Sequence, residues 1–112
     1  MAIRFDDKVG KAKAALQAHE IRAKQASRRI TGLEERLVNL DVIRAECAEQ
    51  AKIGSTRAQR ENPGLMAKRV DADVASFVAD ITRSLNTARA ARDDEVAKAA
   101  ECRKIISAST TA

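Results

Sequence analysis

Residues 9–40 read VGKAKAALQAHEIRAKQASRRITGLEERLVNL. Along this stretch an apolar or small residue recurs at alternating spacings of three and four, with one histidine as the single exception. The members of this seam are Val9, Ala12, Leu16, His19, Ala23, Ala26, Ile30, Leu33, Leu37 and Leu40. Such a heptad pattern is typical of a long helix that buries a narrow stripe against another helix. The seam therefore predicts a coiled-coil-like helix in the first half of the chain.

The composition agrees with a long-helix protein. The chain has 112 residues, a length that favours a single domain. It is 33% charged and only 2% aromatic, with no Trp or Tyr. A conventional globular core buries more aromatic surface than Phe5 and Phe77 can provide. A thin, alanine-lined core between helices needs much less, so the composition favours a helical bundle.

The seam changes register after Leu40. The heptad spacing would place Arg44 next in the stripe, whereas apolar or small side chains continue at Ile43, Cys47 and Ala51. A change of this kind alters how a helix winds against its partner. The helix is still expected to continue to about residue 52, because helical propensity stays high along this stretch.

Gly32 is the weak point of this first helix, because glycine in a helix interior costs about 1 kcal/mol relative to alanine. Thr31 and Glu34 have the spacing of a capping box, which could start a second helix here. However, Ile30 and Leu33 keep the heptad phase across the glycine, whereas a break would usually reset it. We therefore expect a continuous helix at Gly32, with a kink as the alternative.

The segment after the first helix carries signals for a turn and a second helix. Gly54 suits a helix C-terminus, and Asn62 followed by Pro63 is a strong helix start. A second stripe follows at Ala67, Val70, Val74, Phe77, Ile81, Leu85, Ala88, Arg92, Val96, Ala99, Arg103 and Ile106. The predicted organisation is a helix over about 7–52, a turn over about 53–62, a helix over about 63–107 and a frayed tail at 108–112.

Two stripes of similar length joined by a short turn predict an all-α fold, a long antiparallel two-helix hairpin of coiled-coil type. Facing residues in such a hairpin have numbers with a constant sum, here about 115. Charges of opposite sign meet near that sum and would select the register. The predicted pairs are Arg22–Asp94, Arg36–Asp80, Arg44–Asp71, Glu46–Lys68 and Glu35–Arg83. Because two helices make a thin core, we expect the hairpin to pack into a larger helical bundle by oligomerisation.

The net charge of +5 leaves basic side chains that these pairs do not use. They fall in the first half of the first helix and in the turn, where they could hold an anion or an acidic partner. The candidate residues are Lys8, Lys11, Lys13, Arg28, Arg29, Arg57 and Arg60. None is interleaved with aromatic side chains, so base stacking is not expected. Any nucleic-acid contact would be weak, of backbone type and sensitive to salt.

No pattern in the sequence indicates catalysis or a bound cofactor. His19 is the only histidine, and Leu16 stands where a Glu-x-x-His metal motif would place its carboxylate. A structural role is therefore expected for His19, with pH-sensitive packing as the alternative. Cys47 and Cys102 lack zinc or disulfide-framework spacing and are expected to be small apolar fillers. Runs of neighbouring carboxylates are expected to pair with arginines, so we expect no enzyme, no cofactor and no metal site.

Several apolar residues lie outside both stripes and are candidates for oligomer contacts. They are Ile21, Val38, Val42 and Val78. The expected function is that of a non-enzymatic structural or interaction protein. It would be a helical-hairpin component of a larger assembly, such as a phage virion or a secretion-type complex. Its partners would be copies of itself or a host assembly. The alternative is a small basic nucleic-acid-binding protein.

The setting expected from the sequence is cytoplasmic, or a particle assembled in the cytoplasm. Two cysteines without framework spacing favour a reducing compartment. The segment from Met1 to Asp7 has no apolar signal region. No apolar run approaches the roughly 20 residues that a transmembrane helix needs, so no transmembrane segment is expected.

Overall fold

The computed structural model describes the backbone of residues 2–111 and the side chains of residues 7–109. The helices are α1 (Ala2–Val38), α2 (Leu40–Gly54), α3 (Arg57–Glu61) and α4 (Pro63–Thr111). Residues 2–111 contain no strand, so the all-α prediction is confirmed. Helix α1 begins before the predicted residue 7. Helix α4 extends to Thr111, through most of the tail that was expected to fray.

The described part of the chain divides into two compact units. Unit 1 contains residues 2–30 of α1 and residues 86–111 of α4. Unit 2 contains residues 31–85, with the end of α1, the whole of α2 and α3, and the start of α4. Each unit has its own buried residues.

Helices α1 and α2 separate at Asn39, whereas the sequence predicted one helix to about residue 52. Asn39 has φ −95° and ψ 59°, and its side chain makes no capping hydrogen bond. Its amide donates to the carbonyl of Arg36 at 3.3 Å, and its carbonyl accepts from the amide of Ile43 at 3.2 Å. Helix α1 runs through Gly32 without a break. The change of register explains the position of the break, because it brings Ile43 rather than Arg44 to the core.

The core of unit 2 is built on the new register of α2. Ile43, Cys47 and Ala51 are buried on one face of α2, and Val70 and Ile81 of α4 join them. Partly buried side chains that pack against this core are Leu33, Leu37, Ala48, Met66, Val74 and Phe77. Ile43 is only 1% exposed, and burial of such a side chain contributes about 1.5–3 kcal/mol.

Unit 1 has a narrower core of mostly small side chains. Ala12 and Ile30 of α1 are buried, as are Ala88, Ala99 and Cys102 of α4. All but Cys102 belong to the predicted stripes, so the seam prediction is confirmed at these positions. Alanine lets helices approach closely but offers little apolar surface, so this core is thin, as the composition indicated.

Contacts within each unit run antiparallel. In unit 1, Val9 lines one cavity together with Ile105, and His19 contacts Glu95, so numbers rise along α1 as they fall along α4. In unit 2 the same order holds. Arg36 lies 4.8 Å from the ring centre of Phe77, and Arg44 contacts Asp71. Each unit therefore has the strand-free, antiparallel helix pairing that a hairpin requires.

Some members of the predicted stripes are exposed, and the structure corrects these positions. They are Leu40, Ala67, Val96 and Arg103. Leu40 is the first residue of α2 after the break and is 50% exposed. Met66 takes the place of Ala67 against the core of unit 2. Val96 is 51% exposed because the adjacent Glu95 turns toward α1 instead.

The predicted start of α4 is confirmed. Pro63 is its first residue, and the Oδ1 atom of Asn62 accepts hydrogen bonds from the amides of Gly64 at 3.0 Å and Leu65 at 3.4 Å. These amides have no carbonyl partner inside the helix, so the asparagine side chain satisfies donors that would otherwise need water.

The turn contains a short helix, α3, that the sequence analysis missed. The Oγ1 atom of Thr56 accepts from the amide of Gln59 at 3.3 Å, and the side-chain oxygen of Gln59 accepts from the amide of Thr56 at 3.0 Å. This reciprocal pair is a capping box. Its signal, a Thr followed three residues later by a Gln, was present in the sequence.

Arg69 joins three elements of unit 2. Its Nη1 atom donates to the carbonyl of Gly54 at 2.6 Å and to Oε1 of Gln59 at 3.1 Å, and its Nε atom lies 3.6 Å from Asp73. Gly54 is the last residue of α2, at the helix C-terminus that the sequence predicted, and its φ is not positive. The guanidinium satisfies the carbonyl of Gly54 at the end of α2.

Replacing Gly32 by alanine is expected to stabilise the chain by up to about 1 kcal/mol, because alanine has the higher helix propensity and restricts the unfolded state. A Cβ atom at this position would meet no other atom within 4 Å. Chemical denaturation measures the change in the free energy of unfolding.

Gly54→Ala is the matched control, because its Cβ would lie 3.2 Å from Nη2 of Arg69 and disturb that contact. It should gain less stability than Gly32→Ala or lose some. Destabilisation by Gly32→Ala would show that α1 is not a regular helix at this residue.

Candidate functional site

A partly buried ion cluster joins α1 and α4 in unit 1. Glu95 of α4 contacts Nδ1 of His19 at 2.5 Å and accepts a hydrogen bond from Nε of Arg22 at 3.1 Å. The side chains of His19 and Glu95 are each only 16% exposed. His19 and Arg22 are three residues apart, so both project from the same side of α1. The sequence predicted Asp94 as the partner of Arg22, but the adjacent Glu95 accepts its hydrogen bond instead.

The chemistry of the carboxylate fixes the proton on the His19 ring. An ionised carboxylate can only accept, so the hydrogen bond to Glu95 places a proton on Nδ1 of His19. The Nη2 atom of Arg22 also lies 2.9 Å from Nδ1, but a nitrogen that donates in the ring plane cannot accept there. Arg22 therefore interacts with the cluster through Glu95, whose carboxylate accepts hydrogen bonds from both His19 and Arg22.

The pKa of Glu95 is held below its ordinary value of 4.5, above all because His19 donates a hydrogen bond to the carboxylate. Partial burial acts in the opposite direction, and the hydrogen bond and charge of Arg22 lower the pKa further. Nearby on α4, the carboxylate of Asp94 raises the pKa of Lys98. The cluster therefore favours the charged form of Glu95 in the folded state.

Glu95→Gln is expected to weaken the dependence of stability on pH. Because the folded-state pKa of Glu95 is depressed, its carboxylate stabilises the native state above the unfolded-state pKa. That contribution is lost as pH falls through the folded-state pKa. The melting temperature of the unsubstituted chain should fall as the pH drops below about 4.5, and that of Glu95→Gln should fall less. Thermal unfolding followed by circular dichroism measures both.

Glu101→Gln is the control for this experiment, because it removes an equal charge from an exposed pair with Lys104 in the same unit. Exposed pairs contribute little, so this variant should keep the pH dependence of the unsubstituted chain. Identical pH profiles for Glu95→Gln and the unsubstituted chain would show that the cluster does not stabilise unit 1.

Three of the predicted anion-binding residues are engaged within the chain. Lys11 lies 3.3 Å from Asp7, and Arg57 lies 2.8 Å from Glu61. Arg60 donates to a backbone carbonyl of the turn at 3.3 Å. All three side chains are exposed, so these contacts leave them accessible to solvent. Their role toward an external anion or partner stays a prediction.

The other predicted basic residues form no ion pair within residues 7–109. They are Lys8, Lys13, Arg28 and Arg29, and all are exposed on α1 in unit 1. Lys8 also lines the cavity of about 300 Å³ at the end of that unit. Lys24 shares their exposure and lack of an ion pair, and the sequence analysis did not select it. Unit 1 therefore presents a basic surface along α1.

One of the predicted interhelical charge pairs is confirmed. Arg44 donates to Asp71 at 2.6 Å. Other charged residues find closer partners. Arg36 donates to Glu46 at 3.1 Å, and Arg83 pairs with Asp80 in the same helix. Asp80 and Arg83 are three residues apart on one helix, so they can pair whatever the register between the helices.

Three of the four predicted oligomer contacts are well exposed. Ile21 is 50% exposed, Val38 is 81% exposed and Val42 is 55% exposed. Val78 is partly buried instead and offers less apolar surface. Ile53 is 80% exposed but was not among the predicted contacts. The sequence placed it in the turn, whereas it belongs to α2.

A cavity of about 460 Å³ in unit 2 is lined by three carboxylates, but each already has a basic partner. Glu46 pairs with Arg36, Asp73 with Arg69 and Asp80 with Arg83. No group of three or more His, Cys, Asp or Glu residues in the described part of the chain could hold a metal ion. Within the same part, no helix is both long and apolar enough to cross a membrane.

Comparison with known proteins gives no match, since neither a family model, a curated protein nor a solved structure is significantly similar to the chain.

Proposed function

We propose that this chain is a non-enzymatic interaction protein, a helical component of a larger assembly that it forms with copies of itself. Its work would be to present long helical faces to other chains. The assembly we propose is of the kind expected from the sequence, such as a phage particle or a secretion-type complex.

The observation that carries this proposal is the exposure of large apolar side chains on helices whose other faces form the cores. Val38 and Ile53 expose four-fifths of their surface, and Ile21 and Val42 expose half or more. Single exposed apolar residues are ordinary, but these accompany thin cores in which Ile43 is the one large side chain below 2% exposure among residues 7–109. Covering them would add apolar burial that each unit lacks.

Sedimentation velocity over a range of concentrations tests the proposal. We expect self-association at micromolar concentrations, with a mass that rises with concentration. Val38→Ser should weaken it, because it removes exposed apolar surface without touching a core. A stable monomer throughout this range would overturn the proposal.

A second candidate, nucleic-acid binding, is favoured by the basic residues of α1 that form no ion pair. They include Lys13, Lys24, Arg28 and Arg29. Among residues 7–38, α1 contains no Phe, Tyr or Trp to stack on a base. Binding that arises from such charges alone is non-specific and weakens steeply with salt. A titration with duplex and single-stranded nucleic acid at about 150 mM salt separates the two candidates. A Kd tighter than about 1 μM would exceed non-specific binding and favour the second.

A further inference from the structure

The exposed side of α1 in unit 1 is basic with an apolar residue beside the charges. Ile21, Lys24 and Arg28 follow one another at spacings of three and four, so they lie along one side of the helix. All three are exposed, and neither Lys24 nor Arg28 forms an ion pair within residues 7–109. The seam residues of α1 lie on another side and are buried or partly buried, as at Ile30.

The exposed side of α1 in unit 2 carries the opposite charge. Glu35 and Val38 are three residues apart and exposed. Val38 is the most exposed large apolar residue among residues 7–109. Glu34 precedes Glu35 on α1, and Asp41 is the second residue of α2, just after the break at Asn39; both are exposed. None of the three carboxylates forms an ion pair within residues 7–109, in contrast to the carboxylates of the cavity in unit 2. This surface is therefore acidic and apolar where that of unit 1 is basic and apolar.

We propose that these two surfaces bind each other between two copies of this chain, through antiparallel packing of α1 against α1. The proposal rests on the proposed function and names its partner and contact. In this packing Ile21 of one copy faces Val38 of the second copy, and Lys24 faces Glu35. The residue numbers of both pairs have the same sum, which is the condition for one antiparallel register.

The symmetry of the contact follows from this register. A two-fold axis repeats each pair, so the contact contains two Ile21–Val38 pairs and two Lys24–Glu35 pairs. Arg28 lies one turn from Lys24 and within reach of the same carboxylate. A parallel arrangement would instead set Lys24 beside Lys24 and Glu35 beside Glu35, and like charges at such positions are repulsive. Charge therefore selects the antiparallel arrangement and a second copy as the occupant.

A charge exchange between positions 24 and 35 tests the contact. The variants are Lys24→Glu, Glu35→Lys and the double variant, with Arg89→Glu as the control. Arg89 is an exposed basic residue of α4 in unit 1 and forms no ion pair within residues 7–109. Sedimentation equilibrium gives the dissociation constant of each, and circular dichroism verifies that helix content is unchanged.

Each single variant should raise the dissociation constant about tenfold or more, because an attraction becomes a repulsion at two symmetry-related places. The double variant restores opposite charges in both places and should return to within about threefold of the unsubstituted chain. Arg89→Glu should leave association unchanged. This pattern would establish both the surface and its register.

Other outcomes overturn the inference in distinguishable ways. If the unsubstituted chain associates and Lys24→Glu weakens it no more than Arg89→Glu, this contact is wrong while the proposed function stands. If both single variants weaken association and the double variant does not recover, the register is wrong. If only Lys24→Glu has an effect, the basic surface meets an acidic partner other than Glu35. If the unsubstituted chain is monomeric, both the proposed function and this inference are wrong.

Discussion

Replacing Ile43 by alanine is expected to lower the free energy of unfolding by about 3 kcal/mol, within the range known for buried isoleucine. Ile43 is the most buried large side chain among residues 7–109, and it shares its core with Val70 and Ile81. Alanine would lose transfer free energy and leave a cavity that a helical core fills only partly. Urea denaturation followed by circular dichroism measures the loss.

Ile53→Ala provides the matched control, because the same substitution falls on the same helix at a side chain that is 80% exposed. Its effect should stay within about 0.5 kcal/mol, as for most surface changes. Comparable losses for Ile43→Ala and Ile53→Ala would contradict the register of α2. Both variants should be compared at a protein concentration where the chain is monomeric, because Ile53 is among the side chains that self-association would cover.

Arg69→Met is expected to lower the free energy of unfolding by about 1.5 kcal/mol, since hydrogen bonds to charged groups contribute more than neutral ones. Methionine keeps an aliphatic stem but loses the donors to Gly54 and Gln59 and the charge near Asp73. The end of α2 would lose a capping donor, and α3 would lose a tie to α4. Urea denaturation again provides the measurement.

Lys68→Met is the control for this second substitution. Lys68 is the adjacent residue, is exposed, and makes no hydrogen bond or ion pair within residues 7–109. Its replacement should change stability by less than about 0.5 kcal/mol. An Arg69→Met variant as stable as Lys68→Met would show that water replaces the guanidinium at the end of α2 without loss.

The helical class and most of the core were legible in the sequence, because both depend on local spacing. Positions such as Ala12, Ile30 and Leu85 are buried where the stripes placed them. The start of α4 was equally predictable, since Asn62 and Pro63 act on backbone groups within a few residues of themselves. Such features need no knowledge of what packs against them.

The break at Asn39 shows what the sequence could not decide. A change of register was visible after Leu40, but a helix can absorb it by supercoiling or by breaking. Gly32 was the more suspect residue on helix propensity alone, and yet α1 passes through it. The packing of Ile43 against α4 favours the break, and that packing depends on tertiary contacts rather than on local propensity.

Charge pairs were the least predictable part of the candidate site. Arg22 reaches Glu95 on α4, whereas the adjacent Asp94 pairs with Lys98 of the same helix, so the choice of carboxylate depends on contacts that residue spacing does not show. The partner of His19 was missed for the same reason, since an apolar residue, Val96, was expected opposite it. A histidine in a seam favours a nearby carboxylate, because an unpaired polar ring would be costly to bury there.

Labelling of the two buried thiols can measure local opening in each unit. Cys47 lies in the core of unit 2 and Cys102 in that of unit 1, and neither forms a disulfide. Cys47 lines the cavity of unit 2, so the thiol reagent must be too bulky to enter that cavity. Such a reagent reaches each sulfur only when the surrounding helices separate, and the two labelling rates then report two opening equilibria without any added probe. Under native conditions, unequal rates would rank the units by the free energy of opening. Labelling at increasing protein concentration would reveal which unit is protected when copies associate.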